Sequence, residues 1–251
     1  MALPFPSPTS LSPGFTMSRA TTDDIDTISE LYYETFKPDH GNSFWWPADK
    51  TAMLEWLKRR VTGKMNDRGV RHFKIIDAAT GHLVAFARWD VPQHYEASFG
   101  DWIGDEMGGE IDVSKFVESD GIAGAEIGAG VEKPVTSAPI EGPRAVIDFP
   151  DGSDPVLCHQ YWDAIAKASA KWYTKDMLGL SLLATASRYH RRGAATALML
   201  PMLAIADALE LKSYLESTAS GRPVYEKLGF RVVDKLHDGH LSVMIRDPKP
   251  L

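Results

Sequence analysis

A chain of 251 residues, 44% hydrophobic and 24% charged, is long enough to bury one sizeable core, which excludes a wholly disordered or collagen-like protein. The formal net charge of -7 argues against a surface built for phosphate backbones, so nucleic acid is not an expected partner. The single cysteine, Cys158, excludes an internal disulfide, and with no apolar run of about 18 residues the expectation is a cytoplasmic protein without a membrane partner.

Residues 1–14 carry prolines at 4, 6, 8 and 13 and read as a disordered Pro/Ser-rich tail. A strand is expected over Phe15 to Arg19, and Thr21 or Thr22 then caps a helix whose apolar stripe is Ile25, Ile28, Leu31, Tyr32 and Phe36. After Pro47, the spacing of Met53, Leu57 and Val61 predicts a second helix. The stretch "HFKIIDAATGHLVAFARW" reads as two strands around a turn at Asp77 to Gly81, with Leu83, Ala85, Ala87 and Trp89 on one face of the second.

Texture changes over residues 91–152, where 10 of the 20 glycines fall between Gly100 and Gly152 and periodicity fades. So long a stretch in a compact domain reads as a lid, a binding loop or a disordered insertion. Order returns with Leu157, Tyr161, Ile165, Ala168 and Trp172, an amphipathic helix for which Gly179 is the expected stop. The strand "LSLLATA" follows, and it leads directly into "RYHRRGAATAL".

That junction carries the chemistry. A strand, a tight turn with Arg191, Arg192 and Gly193, and an alanine-rich helix place free N–H groups and a positive dipole end together, an arrangement that holds a phosphate. Gly193 lets the backbone approach an anion, and arginine adds paired donors. One glycine does not make a dinucleotide fingerprint, and no lysine stands at Walker A spacing. On local residues alone, a helix start with solvated arginines is an equal reading. Pro201, about two turns into the helix, is expected to kink it.

Three segments in order resemble the GNAT family of acyl-CoA-dependent N-acetyltransferases. The family's motif Q/R-x-x-G-x-G/A is matched by "HRRGAA", with His190, Gly193 and Ala195 at its first, fourth and sixth positions. "LESTASGRPVYEKLGFRVV" resembles the family's closing segment, through Tyr225, Gly229 and Phe230, and "SRATTDDIDTISELYYETF" its opening strand and helix. Histidine at 190, serine at 187 and alanine at 195 depart from the family's commoner residues. The resemblance implies a mixed α/β (α+β) fold, a splayed central sheet flanked by helices with a long insertion, as a single domain over residues 15–251 with the insertion at about 91–152.

It also implies an acetyl-CoA-dependent N-acetyltransferase acting on an amine of a small molecule or peptide. Acetyl-CoA is then the acyl donor, with its pyrophosphate on His190, Arg191, Arg192, Gly193, Ala194, Ala195 and Thr196, and its thioester beside the backbone of Ala184, Thr185 and Ala186. Tyr225 matches the general-acid position, with a core tyrosine beside Phe230 as the structural alternative. For the base, Glu216 follows an apolar strand and is weighed against a surface carboxylate; His94 and Glu110 have no motif behind them. Trp45 and Trp46 offer aromatic faces to an amine or ordinary packing to neighbouring helices. Arg59 and Arg60 read as a solvated face, and "HDGH" at 237–240 as a hairpin turn, not a metal site. A non-catalytic acyl-CoA-binding module and an O-acyltransferase remain the alternatives.

Overall fold

The computed structural model describes residue 8 and residues 11–38, 40–47, 49–100 and 149–250. Most of the proline-rich tail, the body of the insertion and Glu110 lie outside the described residues.

The first strand, β1 (Phe15–Arg19), buries Phe15, Met17 and Arg19, the alternation of a half-covered edge. Thr21 opens a short 3-10 turn through a reciprocal capping box, its N–H donating to Asp24 Oδ2 at 2.8 Å. Asp24 also takes Lys74 Nζ on both oxygens at 2.6 Å, which ties this turn to the sheet. Helix α1 (Ile25–Phe36) sets Ile28 and Leu31 into the main core, while Tyr33 joins a second cluster. Helix α2 (Lys50–Met65) starts after Asp49, whose Oδ1 accepts the Thr51 N–H at 2.8 Å. It buries Met53, Trp56, Leu57 and Val61.

Strands β2 (Val70–Asp77) and β3 (Leu83–Asp90) form the expected hairpin. Burial on β3 is not confined to the face of Leu83, Ala85, Ala87 and Trp89, because Val84 and Phe86 between them are buried as well. β3 is an interior strand, and helices pack against it, so alternation is erased. Helix α3 (Pro155–Trp172) is capped by Asp154, which accepts N–H groups from Val156 and Leu157 at 3.0 Å. Its expected stripe is corrected at Leu157, 42% exposed, while Cys158 is fully buried. Gly179 is not the helix stop either. The helix ends where Tyr173 turns extended, and Gly179 lies in β4 (Leu178–Thr185), where a Cβ would come within 3.1 Å of the Tyr173 hydroxyl.

Helix α4 (Ala194–Ala208) runs continuously through Pro201, and β5 (Ser213–Thr218), α5 (Arg222–Lys227) and the hairpin of β6 (Arg231–Leu236) and β7 (Leu241–Arg246) complete the chain. The HDGH stretch is the hairpin turn, with Asp238 and Gly239 at positive φ of 54° and 90°. Among the described residues the strands form one seven-stranded sheet, ordered β1-β2-β3-β4-β5-β7-β6. Only β4 and β5 pair in parallel within it, over Leu178–Leu180 and Ser213–Leu215. Beyond Leu180 and Leu215 the two strands part, and the sheet opens into a fork. Arg246 and Asp207 form a buried pair, at 2.6 and 2.7 Å, that holds the end of α4 to β7. Among the described residues no helix is long and apolar enough to cross a membrane.

Candidate active site

The fork's β4 side is built by a change of register. β3 and β4 pair Arg88 with Leu182 and Trp89 with Leu180, so Ser181 bulges out, held by the Arg88 guanidinium at 2.9 Å. Further along, the Ala186 N–H donates to Val84 O at 2.9 Å. Backbone N–H groups alternate in direction along a strand, so those of Ala184 and Ala186 are turned to β3 and that of Thr185 faces the fork. Of the three residues expected at the thioester, Thr185 therefore carries the available donor. Its carbonyl, on the same edge, is bonded to His190 Nε2 at 3.0 Å.

The turn between β4 and α4 is strained where the sequence is densest in charge. Arg191 has φ 60° and Gly193 φ 79°, both left-handed. Glycine accepts this conformation freely; arginine does so at a cost. The first intrahelical bond of α4 runs from the Ala197 N–H to Gly193 O at 2.9 Å, so the N–H groups of Ala194, Ala195 and Thr196 leave the helix end without helical partners. Arg192 lays its guanidinium over the rings of Phe15 and Tyr189, at 4.3 and 5.4 Å, and its carbonyl accepts the Ser12 hydroxyl at 2.7 Å. The residues present suit a pyrophosphate: an open helix end, a glycine cradle and two exposed arginines.

On the β5 side, Leu215 joins the core shared with α4, and Tyr214 joins the opposite cluster with Ala168, Met177, Val243 and Ile245. Glu216 is the first residue past the last β4–β5 pair and receives the Tyr214 hydroxyl on Oε1 at 2.6 Å. Burial raises the Glu216 carboxyl above the ordinary range; the Tyr214 bond opposes that rise, and the charge of Asp90 adds to it. Tyr225, in α5, is buried with its ring edge-on to Phe230, centroids 6.1 Å apart. Burial pushes its phenol well above the usual range.

The other candidates fall elsewhere. Trp45 is buried among Trp56, Phe149, Tyr161 and Trp162, with centroids 5.1 to 6.4 Å away, and Trp46 sets its ring against Tyr33 at 5.7 Å. Trp45 serves the packing between α2, α3 and Phe149, and Trp46 packs against α1. Arg60 is not simply solvated, since it lies over Trp56 and Trp162 at 4.7 and 5.5 Å. His94 is exposed on a 3-10 turn, Gln93–Phe99. Sequence reasoning missed Arg71, a fully buried side chain that donates to the carbonyls of Phe99, Glu96 and Arg68 and so pins that turn. It also missed Tyr214, although Tyr and Glu two apart on a strand share a face.

Residues 144–240 match the family model described as the acetyltransferase (GNAT) domain. Both quoted motifs, "HRRGAA" and "YEKLGF", fall within that segment. The chain carries the GNAT fold. A histone acetyltransferase HPA2 and related acetyltransferase from Corynebacterium glutamicum shares 18% identity over 95% of this chain and 98% of its own, with a TM-score of 0.52. The C-terminal condensation domain of Ebony, solved with beta-alanyl-dopamine, gives 0.54 at 9% identity, covering 93% and 98%. An acetyltransferase from Thermus thermophilus gives 0.50 at 10% identity, covering 94% and 99%. No curated protein matches the sequence. In this GNAT fold the forked strand pair, the open end of α4 and Tyr225 come from the segment that the family model matches.

Proposed function

We propose that this chain is an acetyl-CoA-dependent N-acetyltransferase, transferring the acetyl group to an amine of a small molecule or peptide by direct attack in a ternary complex. One observation carries the reading: β4 and β5 part just where a left-handed glycine opens the N-terminus of α4 on one side and a half-buried carboxylate, Glu216, stands on the other. The donor supplies an activated acyl thioester. Arg191 and the N–H groups of Gly193 to Thr196 hold its phosphates, and Thr185 offers an N–H toward the fork for the thioester oxygen.

An alkylamine with a pKa of about 10.4 is protonated at neutral pH, and removing that proton costs about 4 to 5 kcal/mol. Glu216 is assigned as the base: its raised pKa makes it a better proton acceptor than an ordinary carboxylate. Tyr225 is assigned as the acid that returns a proton to the departing thiolate. A screen of amines with release of free thiol as readout tests the assignment. Thiol release that requires an amine supports it; acetyl-CoA binding without release for any amine points to a non-catalytic acyl-CoA-binding module.

A further inference from the structure

Around Glu216 the packing is more elaborate than a proton acceptor alone requires. Tyr214 stands two residues earlier on the same face of β5 and gives its hydroxyl to Oε1 at 2.6 Å. Its ring is braced by Tyr173, centroids 4.9 Å apart and planes tilted by 35°. Tyr173 in turn fits against Gly179, where any side chain would meet its hydroxyl at about the 3.1 Å separation of an added Cβ. Glu216, Tyr214, Tyr173 and Gly179 thus form one chain of contacts from the mouth of the fork to the end of α3.

We propose that Tyr214 is a positioning residue for Glu216: its hydroxyl fixes one carboxylate oxygen so that the other, Oε2, faces the acceptor amine, with Tyr173 as the buttress that Gly179 admits. The proposal rests on the assignment of Glu216 as base.

A carboxylate on a strand turns about its side-chain torsions, and a proton acceptor works only within hydrogen-bond reach and at the right angle. The Tyr214 bond removes that freedom on one oxygen and leaves the second outside the bond. Tyr214 is itself held protonated, because burial raises its phenol, as does the charge of Glu216. It is therefore a lasting donor. The groups facing this pair are Asp90 on β3, Tyr173 after α3, with a phenol pushed up to about 12 by burial, and Ser169 on α3, in hydrogen-bond reach of the Tyr214 hydroxyl. Val243, opposite Glu216 on β7, is apolar and fully buried.

The bond also stabilises the charged carboxylate, so its loss has a signature in pH. In Tyr214→Phe the ring still packs on Tyr173, and the acidic limb of kcat/KM should move up by about one pH unit or more, because a base working as the anion then titrates later. Activity along the acidic limb falls about tenfold and recovers toward the parent value as pH rises above it, while acetyl-CoA affinity by calorimetry stays unchanged. A loss equal at every pH, or a loss of acetyl-CoA affinity, overturns the positioning role in favour of a structural one. Independently of turnover, the Glu216 carboxyl is titrated by carbon NMR in the parent chain and in Tyr214→Phe; an unchanged midpoint also overturns it. A parent chain that releases no thiol with any amine refutes the enzyme reading instead, and the two failures are thereby separable.

Discussion

The Tyr189 hydroxyl donates to Asp77 Oδ2 at 3.2 Å, joining the turn after β4 to the distant β2–β3 hairpin. Asp77 also accepts the Ala79 N–H at 3.0 Å, so the hairpin turn and the turn after β4 share one carboxylate. On its other side the Tyr189 ring meets Phe15 edge-on at 5.7 Å, beneath the Arg192 guanidinium. The turn is thus seated on rings as much as on hydrogen bonds. Tyr189→Phe should lower Tm by only about 2–4 °C, the cost of one ordinary hydrogen bond. Tyr189→Ala removes the seat of Arg192 and should weaken acetyl-CoA binding far more than Tyr189→Phe does, as calorimetric titration of both variants will show.

Arg191 is held at φ 60° and is exposed, so its conformation costs energy that its packing does not return. An L-residue in this region is disfavoured by about 1–2 kcal/mol, and glycine escapes the penalty. Arg191→Gly should leave Tm unchanged or higher while reducing acetyl-CoA affinity about tenfold, the loss of one charge-assisted contact to phosphate. Unchanged affinity would show that the helix end and Gly193 hold the phosphates without this side chain.

Much of this architecture was legible in the sequence because it is local. Phe15 to Arg19 alternates as an edge strand must, and Asp77 to Gly81 announces its own turn. The turn between β4 and α4 was readable for the same reason: strand, charge, glycine and helix follow one another without a gap. The misreadings arose where partners come from afar. β3 lost its alternation to helices that its own residues do not reveal. Tyr33, not only Tyr32, was needed for a second aromatic cluster built from α2, α3 and Phe149. Gly179 resembles a helix stop in sequence, but it lies in β4, where Tyr173 fills the place of its missing side chain. Glu216 stood out only as a carboxylate after apolar residues; what distinguishes it, the hydroxyl of Tyr214 and the braces behind it, depends on how strands and helix are assembled.

His72 gives the fold a dependence on acid. It is 5% exposed, its Nε2–H donates to Lys64 O at 3.0 Å, and its Nδ1 is buried without a partner. Burial lowers its pKa from 6.5 to about 4. Between those two values the unfolded chain binds more protons than the folded one, so this residue's contribution to stability is complete above pH 6.5 and is lost as pH falls toward 4. The loss amounts to about 3 kcal/mol. Thermal melts from pH 7 to pH 4 should show Tm declining, and His72→Gln, which keeps a donor for the Lys64 carbonyl but cannot take a second proton, should flatten that decline.

Tyr225 meets the requirement for an acid late in the reaction. Its phenol is buried in α5, pushed well above its ordinary pKa by that burial, and therefore protonated across the neutral range. Among the described residues its hydroxyl has no hydrogen-bond partner, whereas the hydroxyls of Tyr189 and Tyr214 are both committed. The ring is held edge-on by Phe230 and lies against the Gly221 backbone, where an added Cβ would come within 3.2 Å of it. Packing and chemistry are thus separable at this residue: Tyr225→Phe keeps every ring contact and deletes the proton. General acid catalysis contributes about 10² to 10⁴ in rate, so the variant should lose at least about tenfold in kcat. Acetyl-CoA affinity and Tm should stay within error of the parent, since no hydrogen bond is broken. A fall in Tm of several degrees would mark Tyr225 as a core residue and nothing more, and an undiminished kcat would assign the proton to water or to the acceptor itself.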